Sequence, residues 1–196
     1  MADTPTHLAE KAKDIEAYVH HCSDGDTCRV QIGDALWLNV RLAGIDAPEV
    51  PHGKRKPGQP LGEAARTFLN SQVGGKTVLL RQNDLDPFNR PVVELIVGGV
   101  RVNLQMVQDG YAEAYRGKAK RLDRATYLEA EAKAKKAAKG IWALKTYVSP
   151  AAYRASTKRS GGSDRLSPAD AVSPGDARGL ASPGLQSSSG GGAKNE

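Results

Sequence analysis

Two adjacent segments with alternating apolar and polar residues place the strongest constraint on the fold. Residues 27–32 carry apolar side chains at every second position, and residues 36–42 repeat the pattern after a turn at Gly33-Asp34. A period of two is typical of a strand with one buried face, and a short glycine-containing turn joins antiparallel neighbours. The sequence therefore predicts a β-hairpin over 27–42.

Further strands and helices are predicted around this hairpin. The additional strands are expected at 15–22, 76–82, 91–97 and 100–102. The helices are expected at 61–69, in a short segment after Asn103 as N-cap that ends at Gly110, and at 121–139. About five short strands, with one helix inserted and others at the end, indicate an α+β fold, and a small curled β-barrel is the way for such strands to close.

The composition predicts where the folded domain ends. Residues 160–196 contain eight Ser, eight Gly and three Pro and no aromatic residue, which is too little apolar surface to offset the entropy of ordering. We therefore expect an N-terminal lead-in over 1–14, one domain over 15–150 and a disordered C-terminal tail over 151–196. The part before residue 160 has 25 basic and 18 acidic residues, a net charge of +7 against +6 for the whole chain, and this excess favours a polyanionic partner.

Several classes of protein are disfavoured by the same composition. No run of about 18 apolar residues is present, so no membrane span is expected. No signal peptide is visible, so we expect a cytoplasmic protein unless a leader was removed. We also expect a monomer. Cys22 and Cys28 are the two cysteines, and six residues of extended strand span roughly 20 Å. We therefore expect them to remain unbridged.

Charged residues cluster in three short loops at predicted strand ends. Asp26 and Asp46 are hard oxygen donors suited to Ca²⁺ or Mg²⁺, and Glu49 could orient or deprotonate a water. Arg41 and Arg90 could contact phosphate oxygens and stabilise developing negative charge. Each loop has a simpler explanation by itself, because Asp-Gly-Asp and Asp-Pro sequences are common in turns. Together they indicate phosphodiester chemistry.

The motifs in these loops resemble the staphylococcal nuclease family. They are DGDT at 24–27, RLAGIDAPE at 41–49, GEAA at 62–65, the D-x-x-x-R pattern at 86–90 and GIW at 140–142. The resemblance extends from about residue 15 to 142. It implies an OB-fold barrel of five strands with three helices.

The resemblance also implies a metal and a reaction. Asp26, Asp46 and the carbonyl of Ala47 would bind Ca²⁺, and Arg41, Glu49 and Arg90 would take the catalytic roles. Such nucleases hydrolyse DNA and RNA at the bond to the 5′ oxygen and leave 3′-phosphate ends. At 87–88 this chain has Pro-Phe where the family prototype has a Lys-Tyr pair that touches the nucleotide.

Other residues are candidates for binding nucleic acid. Lys54, Arg55 and Lys56 lie in a Pro- and Gly-rich loop, where they would hold flanking phosphates or simply be solvated. Tyr111 and Tyr115 could stack on bases, and packing against the core is the alternative.

Two further functional classes compete with the nuclease. OB barrels often bind nucleic acid without cutting it, so a non-catalytic nucleic-acid-binding module is the main alternative. A partner-binding protein that uses its tail is the other, and nothing in the tail supports it specifically. The complete set of acidic and arginine residues favours the enzyme.

Overall fold

Five strands close into a β-barrel that presents the charged loops at one end. The computed structural model describes residues 14–53, 57–119 and 121–160, which form eight strands and four α-helices. The strands are β1 (Ile15–Cys22), β2 (Thr27–Ile32), β3 (Leu36–Leu42), β4 (Ile45–Asp46), β5 (Thr77–Leu85), β6 (Pro91–Val97), β7 (Val100–Arg101) and β8 (Glu113–Ala114). The helices are α1 (Gly62–Val73), α2 (Val102–Gln108), α3 (Arg124–Lys136) and α4 (Pro150–Ser160), with a 3₁₀ helix at Gly140–Ala143.

The barrel closes through one parallel contact between its edge strands. The antiparallel order is β3-β2-β1-β5-β6, and β3 then pairs with β6, with Arg41 opposite Val92 and Leu42 opposite Val93. The strand β7 extends β6 as a short hairpin, and β4 pairs with β8 in a separate two-stranded sheet. The predicted five-stranded OB-fold barrel of an α+β protein is confirmed.

The core fills the barrel as the alternation predicts. Val30 on β2, Val40 on β3 and Leu95 on β6 are fully buried, and Leu69 of α1 and Met106 of α2 join them. Full burial of one such side chain contributes about 1.5–3 kcal/mol. The barrel and the first two helices therefore form a single rigid base for the loops.

Asn103 has a different role from the predicted one. The helix α2 begins at Val102, so Asn103 lies within the helix and is not its N-cap. The Asn103 side chain is completely buried inside the fold. Its Oδ1 accepts a hydrogen bond from Leu95 N at 2.9 Å, and its Nδ2 donates to the carbonyls of Ala43 and Val93, each at 2.9 Å. The amide thus joins α2 to β6 and to the residue that follows β3.

The prediction of unbridged cysteines is wrong. A turn over residues 23–26 reverses the chain, so that Cys22 on β1 lies directly opposite Cys28 on β2, and the two form a disulfide. Distance along an extended chain does not apply across a tight turn, which explains the error.

The C-terminal boundary of the folded part also needs correction. The predicted domain ends at 150 and the predicted tail begins at 151, but α4 extends the structure to Ser160 and is a fourth helix where three were expected. Ser149 caps it, since its Oγ accepts a hydrogen bond from Ala152 N at 3.2 Å. The predicted lead-in, apart from Asp14, and the rest of the predicted tail lie outside the described residues.

Two glycines bring the C-terminal segment against α2. Gly110 and Gly140 both have positive φ, and Ile141 N donates to Gly110 O at 2.9 Å. A Cβ atom on either glycine would collide with the backbone at the other glycine.

In the part of the chain that the structure describes, none of the helices has the length and apolar character needed to cross a bilayer.

Candidate active site

The barrel brings three of the predicted acidic and basic residues into direct contact. Thr27 on β2 lies opposite Arg41 on β3, so Asp26 is placed beside the end of β3. Leu42 N donates to Asp26 O at 2.8 Å, and this bond continues the pairing to the end of the strand. Asp46 follows within β4, after a tight turn at Gly44.

Arg41 bridges the two aspartates. Its Nη1 forms an ion pair with Asp26 Oδ2, and its Nη2 lies 3.1 Å from Asp46 Oδ1. Nη2 also donates to the carbonyl of Ile45 at 3.3 Å. Burial lowers the pKa of Arg41, and the charges of Asp46 and Asp24 oppose that shift, so the guanidinium stays protonated.

Asp26 is held by the surrounding backbone. Its Oδ2 accepts from Ala47 N at 3.0 Å, and its Oδ1 accepts from Thr27 Oγ1 at 3.3 Å. The preceding Asp24 accepts from Asp26 N at 3.0 Å, and burial raises the pKa of its carboxyl group. The DGDT turn and the IDAPE segment are therefore locked together at the carboxylate of Asp26.

Glu49 lies at the rim of the same site. Its backbone N donates to Gln59 Oε1 at 3.1 Å, and Gln59 N donates back to the Glu49 carbonyl at 2.8 Å. Gly62, the first residue of α1, lies against the same carbonyl so closely that no Cβ would fit. These contacts fix the backbone of Glu49 while its carboxylate stays partly exposed.

Arg90 is oriented by its own loop. Asp86 Oδ1 accepts from the backbone N of Phe88 and of Arg90, and Asp86 Oδ2 accepts from Arg90 Nε at 2.7 Å. Arg90 directly precedes β6, whose Val92 pairs with Arg41, so the two arginines lie at the same end of the barrel. The ring of Phe88 is 80% exposed, and its centroid lies 5.8 Å from Arg90 Cζ.

Two functional candidates in the site were not predicted from the sequence. Arg154 of α4 donates from Nη1 and Nη2 to the two oxygens of Asp46, at 3.0 and 2.8 Å, and from Nη1 to Glu49 Oε1 at 2.8 Å. Asp46, followed by Glu49, raises the pKa of Arg154. Glu113 pairs with Asp46 in the sheet of β4 and β8 and accepts from Tyr147 Oη at 2.8 Å, and burial raises its pKa.

Neither residue had a usable signal in the sequence. Arg154 lies in a segment rich in small and polar residues that was predicted to be tail, and Glu113 is outside every motif.

The residues predicted to bind nucleic acid fall into three groups. Lys54, Arg55 and Lys56 lie outside the described residues. Tyr111 is half-buried and stacks on Phe68, with ring centroids 4.3 Å apart, so one of its faces is already covered. Tyr115 is more exposed, and its ring lies over Gly117.

Asp26 and Asp46 offer oxygen atoms of the type that hard cations take as ligands. Within the described ranges, no group of three or more His, Cys, Asp or Glu side chains is arranged to hold a metal. Two carboxylates are nevertheless close enough to share one guanidinium, and Asp46 is nearly fully buried with its charge balanced by two arginines. Carboxylate and carbonyl oxygens are the ligands that Ca²⁺ takes, with waters completing its shell.

Comparison with known proteins gives one family. Residues 39–144, more than half of the chain, match the family described as Staphylococcal nuclease homologue. A probable endonuclease LCL3 of Komagataella phaffii is 35% identical over 124 residues, a match that covers 60% of this chain and 54% of the relative. A probable endonuclease LCL3 of Candida tropicalis is 30% identical over 171 residues, or 72% of each chain.

A bacterial relative matches to a similar extent. An uncharacterised protein of Bacillus anthracis is 33% identical over 155 residues, which are 76% of this chain and 72% of the relative. The chain spans about half the length of the Komagataella relative.

Proposed function

The chain belongs to the staphylococcal nuclease family, and from that premise we propose that it is a Ca²⁺-dependent nuclease that hydrolyses phosphodiester bonds of DNA and RNA. The observation that carries the proposal is the contact of Arg41 with both Asp26 and Asp46, with Glu49 at the same rim. An isolated ion pair could be structural. A buried arginine between two aspartates, beside a partly exposed glutamate and a second arginine, supports phosphoryl chemistry.

The metal would be held by Asp26, Asp46 and the carbonyl of Ala47. Bound Ca²⁺ would supply positive charge that polarises the scissile phosphate and a coordinated water. Two carboxylates and one carbonyl make a weakly charged site, so we expect the ion to be needed at millimolar concentration.

The side chains of this protein supply the remaining functions. Glu49 would orient a water and accept its proton as the water oxygen bonds to phosphorus. Arg41 and Arg90 would donate hydrogen bonds to the phosphate oxygens as their negative charge grows. The bond from phosphorus to the 5′ oxygen would break, and that oxygen would take a proton from solvent water, which leaves a 3′-phosphate on one product and a 5′-hydroxyl on the other.

The experiment is single-turnover cleavage together with equilibrium binding of an oligonucleotide. Glu49→Gln keeps the shape of the side chain and removes the carboxylate, so turnover should fall by roughly 10²–10⁴ while affinity changes little. Arg90→Ala should lower turnover by roughly 10²–10³ and weaken binding as well. Glu129→Gln on α3 and Arg81→Ala on β5 are matched controls that remove the same charges from exposed positions.

The metal requirement is tested with the same substrate. Cleavage should occur with Ca²⁺, stop with excess chelator, and be poorly supported by Mg²⁺, which releases its waters reluctantly. Full cleavage in excess chelator would exclude the metal assignment. Binding without any cleavage by the wild-type protein would favour the non-catalytic module, and a Glu49→Gln variant that cuts within threefold of wild type would leave the general base unassigned.

A further inference from the structure

The C-terminal helix α4 places a positive charge on the two carboxylates that the proposed mechanism needs free. Arg154 binds both oxygens of Asp46 and one oxygen of Glu49. Asp46 is the more deeply buried of the two, with a side chain that is 3% exposed, and Arg154 covers it from the solvent side.

This contact opposes the binding of a metal through Asp46. A divalent cation bound to an Asp46 oxygen would stand beside the guanidinium and repel it, and Arg154 already uses both of those oxygens. While Arg154 is bound to Glu49 Oε1, its positive charge also stabilises the ionised carboxylate and so weakens it as a base toward water. Release of Arg154 would therefore favour both metal binding and proton transfer at the proposed site.

The attachment of α4 is suited to release. Among the residues of α4 whose side chains are described, Pro150 alone is buried as a whole residue, although the hydroxyl of Tyr153 is buried too. The hydrophobic core draws no residue from this helix. Two polar contacts tie the preceding segment to the domain. Gln59 Nε2 donates to Val148 O at 2.8 Å, and Tyr147 Oη donates to Glu113 at 2.8 Å. Release of Arg154 would break neither of these two contacts.

We propose that α4 is an autoinhibitory latch, in which Arg154 occupies Asp46 and Glu49 until a divalent cation displaces it. The inference rests on the proposed metal site. The latch and the cation compete for one carboxylate, so the apparent affinity for the cation is reduced by the fraction of molecules that are latched. Cation binding therefore opens the helix, and an opened helix binds the cation more tightly.

The test is a calorimetric titration in which Ca²⁺ alone is added to the chain of residues 1–196. Arg154→Gln removes the charge of the latch, and Lys158→Gln removes an exposed charge from the same helix as a matched control. A charge-assisted contact of this kind is expected to shift affinity about tenfold. Arg154→Gln should bind Ca²⁺ about tenfold more tightly than wild type, and Lys158→Gln should stay within twofold.

A second measurement follows the helix itself. Amide hydrogen exchange over residues 151–160 should speed up when Ca²⁺ is added to the wild-type protein. In Arg154→Gln it should be fast with or without the ion.

The outcomes separate the latch from the metal site. Equal Ca²⁺ affinity in wild type and Arg154→Gln, or exchange in α4 that does not respond to Ca²⁺ although the ion binds, would overturn the latch and leave the metal site standing. If no variant binds Ca²⁺, the metal site and the latch are both overturned.

Discussion

Removal of the buried amide of Asn103 should have a large effect on stability. Asn103→Leu keeps most of the volume and removes all three hydrogen bonds, each of them 2.9 Å long. Val93 O keeps a partner, because Ala43 N donates to it at 2.7 Å. The substitution therefore leaves two buried groups, Leu95 N and Ala43 O, without the hydrogen bond that the amide gave them.

The magnitude follows from those two groups. A buried donor or acceptor that loses its partner costs about 1–3 kcal/mol, so the pair should cost about 2–6 kcal/mol. A domain of this size is stable by about 5–15 kcal/mol, so the loss is a large part of the total. We expect the melting temperature to fall by roughly 8–16 °C for a loss near the middle of that range.

Urea unfolding followed by circular dichroism measures this loss. Asn39→Leu on β3 is the matched control, because Asn39 is exposed and accepts one hydrogen bond of 3.3 Å from Arg29. The control should stay within about 0.5 kcal/mol of wild type. A loss below about 1 kcal/mol for Asn103→Leu would refute the reasoning that the amide satisfies otherwise unpaired backbone groups.

Three more predictions concern the tail, the disulfide and a buried glutamate. Ending the chain after Ser160 should leave the melting temperature and the cleavage rate on a short oligonucleotide unchanged, and a drop of several degrees would show that the removed segment docks on the domain. Replacing Cys22 and Cys28 together by Ser should lower the unfolding free energy by about 2 kcal/mol in denaturant titrations, because the loop they close is short; an unchanged midpoint would contradict the bridge. Burial raises the pKa of Glu131, but hydrogen bonds from Arg116, Lys135 and Ala114 N outweigh it, so the pKa lies below its ordinary value of 4.5. The ionised form therefore stabilises the fold, and Glu131→Gln should cost about 1.5–3 kcal/mol at pH 7. In unfolding titrations this difference should shrink as the pH falls below 4.5 and through the lowered pKa of the folded protein, where wild type loses the same charge.

The barrel was predictable because its signal is local. Residues 27–32 and 36–42 alternate with the period of a half-buried strand, and the structure has β2 and β3 at those positions. The site was predictable in part for a related reason. Asp26, Arg41 and Asp46 all lie at strand ends, and two strands of one hairpin bring their ends together.

The parts that were missed depend on contacts between distant segments. Arg154 meets Glu49 across 105 positions of the chain, and nothing in its neighbourhood shows an apolar stripe that would predict a docked helix. Asn103 satisfies the local rule for a helix cap, but the carbonyls of other elements offer its amide a better set of partners. Cys22 and Cys28 are paired by a turn that the extended-chain estimate ignored.

The parallel contact between β3 and β6 has a consequence for how the protein folds. It joins Arg41 to Val92 and Leu42 to Val93, residues that are 51 positions apart, whereas the β2–β3 hairpin joins residues that are close in sequence. Contacts between distant positions require a larger loss of chain entropy and tend to form late. Arg41 meets Asp26 and Asp46 within and just after the hairpin, whereas Arg90, which directly precedes β6, joins them at the step that completes the barrel. We expect a refolding chain to acquire most of its β-strand circular dichroism signal before any cleavage returns. The return of enzymatic activity would then report the pairing of β3 with β6.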